Sequence, residues 1–318
     1  MICFYHASDF DGKCSGALVH MAHPECELIG VDYTDTLRDV EAHRPLKKGE
    51  TVFVVDFCFS ESEMMRLYED FNLIWIDHHR TSIEKMERFM KAHGLYSGDI
   101  HGPRCLEFDG ISASDKRSGC DLTWEYLHEG EKAPYFVRLL GRYDVWDHSN
   151  PDVLNFQYGI RQEKDTHPRA QIWKDLRGVS VNPILASNTD SGEIVTIETV
   201  RIIETGKIIL KYQEAQNSAY ANRMAFDAVL LGHRAVVINT ANSNALVFKD
   251  AYDPEKHDIM IAFSIKPGEC SYSIYSEKPN INAGKIAKEF GGGGHKGAAG
   301  FTTVEPLTFG GLICTQSY

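Results

Sequence analysis

Nearly continuous apolar runs stand at residues 2–5 (Ile-Cys-Phe-Tyr), 52–55 (Val-Phe-Val-Val) and 73–76 (Leu-Ile-Trp-Ile). A run that is apolar at every position predicts a strand covered on both faces of a parallel sheet. Between these runs, 16–22 and 60–71 read as helices, so the first half alternates strand and helix and predicts an α/β domain. An N-capped helix is predicted over 118–128 behind Ser118, and another over 135–142. No proline occurs from 184 through 253, and the helix-tolerant residues of 193–224 predict a helical connector. Strand-like runs resume at 235–238, 259–265 and 271–275, followed by a helix near 281–290 and a glycine cluster. The expected architecture is a parallel-sheet α/β domain over 1–190, a helical linker over 191–225 and a smaller α/β domain over 226–318.

Each of the first three runs ends in a polar cluster: His6, Asp9 and Asp11, then Asp56, then Asp77, His78 and His79. Ligands of parallel sheets gather at the carboxyl ends of the strands, where these groups lie. Hard divalent ions favour carboxylates, and a few imidazoles shift the preference from magnesium toward manganese. Two ions ~3.5–4 Å apart, bridged by a carboxylate, can turn water into hydroxide and neutralise a phosphoryl group undergoing in-line displacement. Each segment alone is commonplace, since Asp-x-Asp-Gly occurs in many loops and His-His is more often a surface pair. Together, on strand ends, they predict a two-ion site.

Composition narrows the field. The 318 residues exceed one ordinary domain, and 43% hydrophobic and 25% charged residues describe a folded chain rather than a disordered one. Thirty-three Lys and Arg against 45 Asp and Glu give a net charge of −12, which argues against binding long duplex DNA. Eight cysteines without a C-x-x-C pair indicate neither a zinc ribbon nor a thioredoxin-type site and fit a reducing interior. Residues 1–6 do not resemble a secretion signal, and no ~18-residue apolar stretch occurs, so the expected location is the cytoplasm, with no membrane partner.

His6-Ala-Ser-Asp9-Phe-Asp11-Gly12, Val-Val-Asp56, Ile-Asp77-His78-His79, Arg-Tyr-Asp144-Val-Trp146 and Gly291-Gly-Gly-Gly-His295-Lys-Gly-Ala-Ala-Gly300 together resemble the ordered motifs of the DHH phosphoesterase superfamily. The last of these resembles its associated C-terminal substrate-binding domain. The resemblance implies that His6, Asp9, Asp11, Asp56, His78 and Asp144 are metal ligands, with Asp56 as the bridge. It implies that Asp77 orients its neighbour and that His79 faces the substrate phosphate, both as catalytic residues. Three alternatives stay open here: Asp77 as a helix N-cap, His6 as a histidine satisfied by backbone, and Asp147 as the fourth-motif acid in place of Asp144. Asp144 is preferred through the Asp-x-Trp pattern, which leaves Asp147 as a local cap or surface acid.

Residues 292–297 formally satisfy G-x-G-x-x-G, but they follow a helix rather than a strand and no acid stands ~20 residues on, which argues against a Rossmann turn. Backbone N–H groups of Gly292, Gly293 and Gly294 could instead cradle an anion, with His295 donating to phosphate. Arg80 is a further candidate phosphate ligand; Lys13, Arg142, Lys285 and Lys296 are nearby cations that could equally be solvated. Tyr275 stands where many relatives carry an arginine, and it could stack on a base or lie in the core. Cys14 and Cys58 read as small packing residues.

The expected activity is manganese-dependent (magnesium is possible) hydrolysis of short oligoribonucleotides to mononucleotides, by hydroxide attack at two ions. Within the superfamily the first motif and the Gly-Arg-Tyr-Asp-Val-Trp-Asp run most resemble the oligoribonuclease (nano-RNase) type. Rival readings are a cyclic- or linear-dinucleotide phosphodiesterase and an adenosine bisphosphate or polyphosphate phosphatase, which would share the metals. A non-catalytic nucleotide-binding module is disfavoured because every metal motif keeps its acids. The oligomeric state is left between monomer and homodimer.

Overall fold

A computed structural model describes residues 1–94, 117–178, 195–241, 244–294 and 296–308. His295, Cys105 and Cys314 lie outside the described residues. The chain divides into two compact units, Met1–Ile209 and Leu210–Tyr318. The division falls inside one long helix.

The first unit runs β1 (Ile2–His6), α1 (Phe10–Ala22), β2 (Glu27–Val31), α2 (Leu37–His43), β3 (Thr51–Val55), α3 (Glu61–Asp70), β4 (Asn72–Ile76) and α4 (Arg80–Ala92). Helices α5 (Gly119–Leu127), α6 (Tyr135–Asp144), α7 (Pro151–Ile160) and α8 (Gln171–Arg177) follow, and α9 (Ile197–Met224) leads into the second unit. The four strands form a parallel sheet in the order β2-β1-β3-β4.

The continuous apolar runs have the predicted cause. Phe4, Val52, Val54 and Trp75 face one side, against Met64 and Leu67 of α3 and Ile83, Met86 and Met90 of α4. Cys3, Tyr5, Phe53, Val55 and Ile76 face the other, with Val19 of α1 and Leu122 of α5. Truncating a fully buried aromatic such as Trp75 would cost roughly 3–5 kcal/mol. Helix α1 begins at Phe10, six residues before the predicted start, because Asp9 caps it by accepting the Gly12 N–H at 2.9 Å. Asp9 and Asp11 therefore sit on a helix cap and first turn rather than in a loop.

The second unit holds β5 (Phe226–Leu230), β6 (His233–Asn239), β7 (Ile259–Lys266), β8 (Glu269–Tyr275), α10 (Ala283–Lys288), β9 (Gly293–Gly294) and β10 (Ala298–Thr303). Its six-stranded sheet has the order β5-β6-β7-β8-β10-β9 and is antiparallel except between β6 and β7. Ile286 and Ala287 of α10 pack on Val237, Ile261 and Ile274. Part of the glycine cluster is thus an edge hairpin. A Cβ on Gly292 would meet Gly300 O at 2.2 Å, and one on Gly294 would meet the Ala299 Cα at 2.6 Å. The glycines allow two backbones to close on each other.

Candidate metal centre

The strand order reverses between β1 and β3, because β2 lies on one side of β1 and β3 on the other. In an open α/β sheet this is where a crevice opens beyond the carboxyl ends. His6 is the last residue of β1, Asp56 follows β3, and Asp77, His78 and His79 join β4 to α4. Asp144, the last residue of α6, comes in from the helical layer.

Local packing fixes these side chains. A Cβ on Gly12 would stand 2.1 Å from His6 O, so only glycine lets α1 descend onto the strand end with Asp9 and Asp11. Asp56 has φ +54°, a sparsely used region for a residue with a side chain, and is held there by its N–H on Ile76 O at 2.8 Å. The Trp75 indole donates to Phe57 O at 2.9 Å and pins the following residue. Asp11 accepts the N–H groups of Gly119 and Cys120 at 2.7 and 2.9 Å, so the amino end of α5 orients its carboxylate. Asp77 is not the cap of α4, which is His79. Its Oδ1 instead accepts the N–H groups of His78 and His79 at 2.8 and 3.1 Å and lies 2.7 Å from His79 Nδ1.

The six expected metal ligands converge. His6, Asp9 and Asp56 form one group, and Asp11, His78 and Asp144 another; in each, the candidate donor atoms lie within 4.8 Å of one another. His6 Nδ1 is 2.9 Å from Asp9 Oδ2 and 3.8 Å from Asp56 Oδ2. His78 Nε2 is 3.2 Å from Asp144 Oδ2, 3.4 Å from Asp56 Oδ1 and 3.7 Å from Asp11 Oδ2. Asp56 thus presents one carboxylate oxygen to each group. It is 1% exposed, and neither oxygen has a hydrogen-bond partner; His78 Nε2 has none either. Buried polar atoms left bare in this way cost roughly 1–3 kcal/mol each unless something else binds them. Carboxylates with a few imidazoles are the donor set of manganese or magnesium, so the residues fit a pair of such ions.

The electrostatics say the same. Burial, then Asp11, pushes the Asp56 carboxyl well above its ordinary range, and the same two causes raise Asp144. Burial pulls the His6 imidazole down, but Asp56 and Asp9 outweigh it and push it up to about 10. His78 is likewise raised against its burial by Asp11 and Asp144, and His79 by Asp77. Asp77 and Asp9 move the other way: burial raises them, while His79 and His6 respectively lower them further. Asp56, Asp144, His6 and His78 are thus shifted toward their protonated forms.

Several residues belong to this place that the motifs did not reveal. Asp32, just past β2, has Oδ1 3.8 Å from His6 Nε2. Tyr33 packs its ring 5.1 Å from that of His6, and its hydroxyl is 3.4 Å from His79 Nε2. Gly119 presses on the bridge, since a Cβ there would meet Asp56 Oδ1 at 2.6 Å. Half-buried Asp121 is raised to about 6 by burial and then by Asp11. The signal for Asp32 was an apolar strand ending in an acid, as at Asp56 and Asp77.

The other candidates have local partners of their own. Arg80 is exposed and pairs with Glu84 at 2.6 Å. Asp147 pairs with Arg142 and accepts the Ser149 N–H, as a local cap does. Gly292 gives its N–H to Ala287 O at 3.0 Å, and Gly293 and Gly294 pair with Gly300 and Ala299. The described part of the glycine run includes a strand at the edge of the sheet. Tyr275 faces Phe248 beside the packed residues of β7. Cys14 is buried in the helical layer, as a packing residue would be.

Residues 236–309 match the DHHA1 domain family. This match lies within the second unit. It bears out the resemblance of the C-terminal glycine-rich motif to the domain associated with the DHH phosphoesterases. Uncharacterized protein R106 of Acanthamoeba polyphaga mimivirus is 22% identical over 275 residues, 83% of this chain and 54% of that protein. The chain spans about half the length of this curated relative. Among solved structures, the pGpG-specific phosphodiesterase PggH of Vibrio cholerae aligns over 95% of this chain and 92% of its own, at 11% identity and TM-score 0.44. An exopolyphosphatase-related protein of Bacteroides fragilis aligns over 96% and 87%, at 11% identity and TM-score 0.42. At such distance neither likeness speaks to substrate. Among the described residues no helix is long and apolar enough to cross a membrane.

Proposed function

We propose that this protein is a manganese-dependent phosphoesterase, with magnesium as an alternative ion, that hydrolyses short oligoribonucleotides to mononucleotides. The observation that carries the phosphoesterase reading is the bare, buried carboxylate of Asp56 between two imidazole–carboxylate groups. The choice of short oligoribonucleotides rests on the first and fourth motifs, which resemble the nano-RNase type.

His6 and Asp9 would hold one ion, Asp11, His78 and Asp144 the other, and Asp56 both. Such a pair, when bound, lowers the pKa of water and offsets the charge that builds on a phosphoryl group. The chain's own residues do the rest. Asp77 holds His79 Nδ1 at 2.7 Å, which fixes the ring and leaves Nε2 turned to the side of Tyr33. Asp77 raises the His79 pKa against its burial, which favours the ring form that would donate from Nε2 to a phosphate oxygen. Water is the attacking group in this reading.

Purified protein with MnCl₂ and a 5′-labelled pentaribonucleotide tests this reading. It expects mononucleotides as the product. Inertness toward RNA of two to five nucleotides would overturn the substrate assignment, and equal inertness toward cyclic dinucleotides and adenosine bisphosphate would overturn the phosphoesterase itself.

A further inference from the structure

Tyr33 is absent from every motif above, yet it touches more of the site than any other exposed residue described there. It leaves the carboxyl end of β2, at the edge of the sheet, and its ring lies across the ends of the next strands. The ring is 5.1 Å from that of His6 after β1 and 5.3 Å from that of Phe57 after β3. Its hydroxyl reaches the segment after β4, at 3.4 Å from His79 Nε2. Phe57 is itself buried and packed edge-on against Phe59 at 5.0 Å, so the ring rests on a firm base. Asp32 holds the backbone by accepting the Tyr33 N–H at 2.7 Å.

A tyrosine placed only for packing would be covered, whereas Tyr33 is 57% exposed. Its hydroxyl is directed at His79 Nε2, the ring nitrogen opposite the Nδ1 that Asp77 Oδ1 holds at 2.7 Å. Two donors that each hydrogen-bond one oxygen at about 2.8 Å, from directions some 75° apart, stand about 3.4 Å from each other. Tyr33 Oη and His79 Nε2 have that separation.

We propose that the Tyr33 hydroxyl and His79 Nε2 form a two-donor clamp for one non-bridging phosphate oxygen of the substrate. Tyr33 is then a substrate-positioning residue of the site, supplied by the edge strand. This rests on the phosphoesterase reading of the centre, and it names the group that reads the phosphate rather than the sugar or base. In the absence of phosphate the two groups hydrogen-bond to each other, so the phenol is held in place before substrate arrives. No bond is made or broken by Tyr33; its proton stays on the phenol oxygen throughout.

The test is Tyr33→Phe, which keeps the ring on His6 and Phe57 and removes only the hydroxyl. Calorimetry with manganese-loaded protein measures binding of adenosine 5′-monophosphate and, separately, of adenosine. The phenylalanine variant is expected to bind the monophosphate about tenfold more weakly, the loss of one hydrogen bond to a charged group. Adenosine binding and the melting temperature are expected to stay at wild-type values. Unchanged affinity for the monophosphate would overturn the clamp. Equal losses for monophosphate and adenosine would also overturn it, since that pattern marks ring packing or folding. Turnover of the pentaribonucleotide is read in parallel: a wild-type protein that binds the monophosphate through Tyr33 but leaves RNA intact would sink the oligoribonuclease reading and spare the clamp.

Discussion

The two ends of the N-terminal sheet treat acids in opposite ways. At the amino ends, Glu50 before β3 meets Arg44 through two contacts of 2.7 Å and the Met1 ammonium at 3.1 Å, while Glu27 receives Arg44 Nε at 2.8 Å. At the carboxyl ends, Asp9, Asp11, Asp56, Asp77 and Asp144 converge with three histidines, and the Asp56 carboxylate has no hydrogen-bond partner. The pKa shifts have opposite signs accordingly. Arg44 holds the Glu50 carboxyl down at about 2, whereas burial and then Asp11 drive Asp56 well up. An acid with its own arginine is part of the scaffold; a buried carboxylate without a hydrogen-bond partner, crowded by other acids, awaits a ligand.

The comparison is broken most sharply by exchanging what the two acids do. Asp56→Ala should lower kcat by roughly a thousandfold or more, because the oxygen atoms facing both groups are lost together. The same variant, free of metal, should melt at a higher temperature than metal-free wild type at pH 7. An acid whose folded pKa lies above its unfolded value costs stability once pH exceeds the unfolded value, so this advantage should close below about pH 4. A metal-free Asp56→Ala protein that melts lower at pH 7 would place Asp56 with the scaffold.

Manganese affinity should rise with pH across the neutral range, because ions displace protons held by Asp56 and by His6, raised to about 10. If one proton leaves per ion the slope is about tenfold per pH unit, read by calorimetry in buffers of different ionisation heat. A flat profile would contradict it. Gly119→Ala acts on the bridge without removing it. The added methyl would meet Asp56 Oδ1 at 2.6 Å, and manganese affinity should fall by about 10–100-fold with the acids all in place.

The smallest effect belongs to the amino ends. Glu50→Gln should cost about 1 kcal/mol in urea unfolding at pH 7 and leave kcat untouched. Glu50 is lowered from 4.5 to about 2, so its stabilisation is complete above 4.5 and fades as pH falls toward 2. The gap between wild type and variant should shrink in that window.

Much of this was legible in the chain. The runs at 2–5, 52–55 and 73–76 are apolar at every position because helices cover both faces of the sheet, and the acids beyond them sit where such sheets bind ligands. Strand β2 was not read, since it lies at the sheet edge, half exposed and interrupted by Gly30, and Asp32 and Tyr33 were lost with it. The start of α1 was misplaced because Asp9 serves as a helix cap as well as a site acid. Gly119 carries no local signal at all; its role exists only because α5 returns to Asp11 from more than a hundred residues away. The glycine run read as a loop, and its pairing with β10 was missed because close backbone approach at Gly292 and Gly294 leaves no apolar pattern to read.

Everything depends on the acids at the carboxyl ends being a cation site. Equilibrium dialysis of wild-type protein and Asp56→Ala against micromolar MnCl₂, with bound metal counted by atomic absorption, asks this directly. Two manganese ions per wild-type chain and fewer than one in the variant are expected. The same count in both proteins, or none in either, would contradict the account.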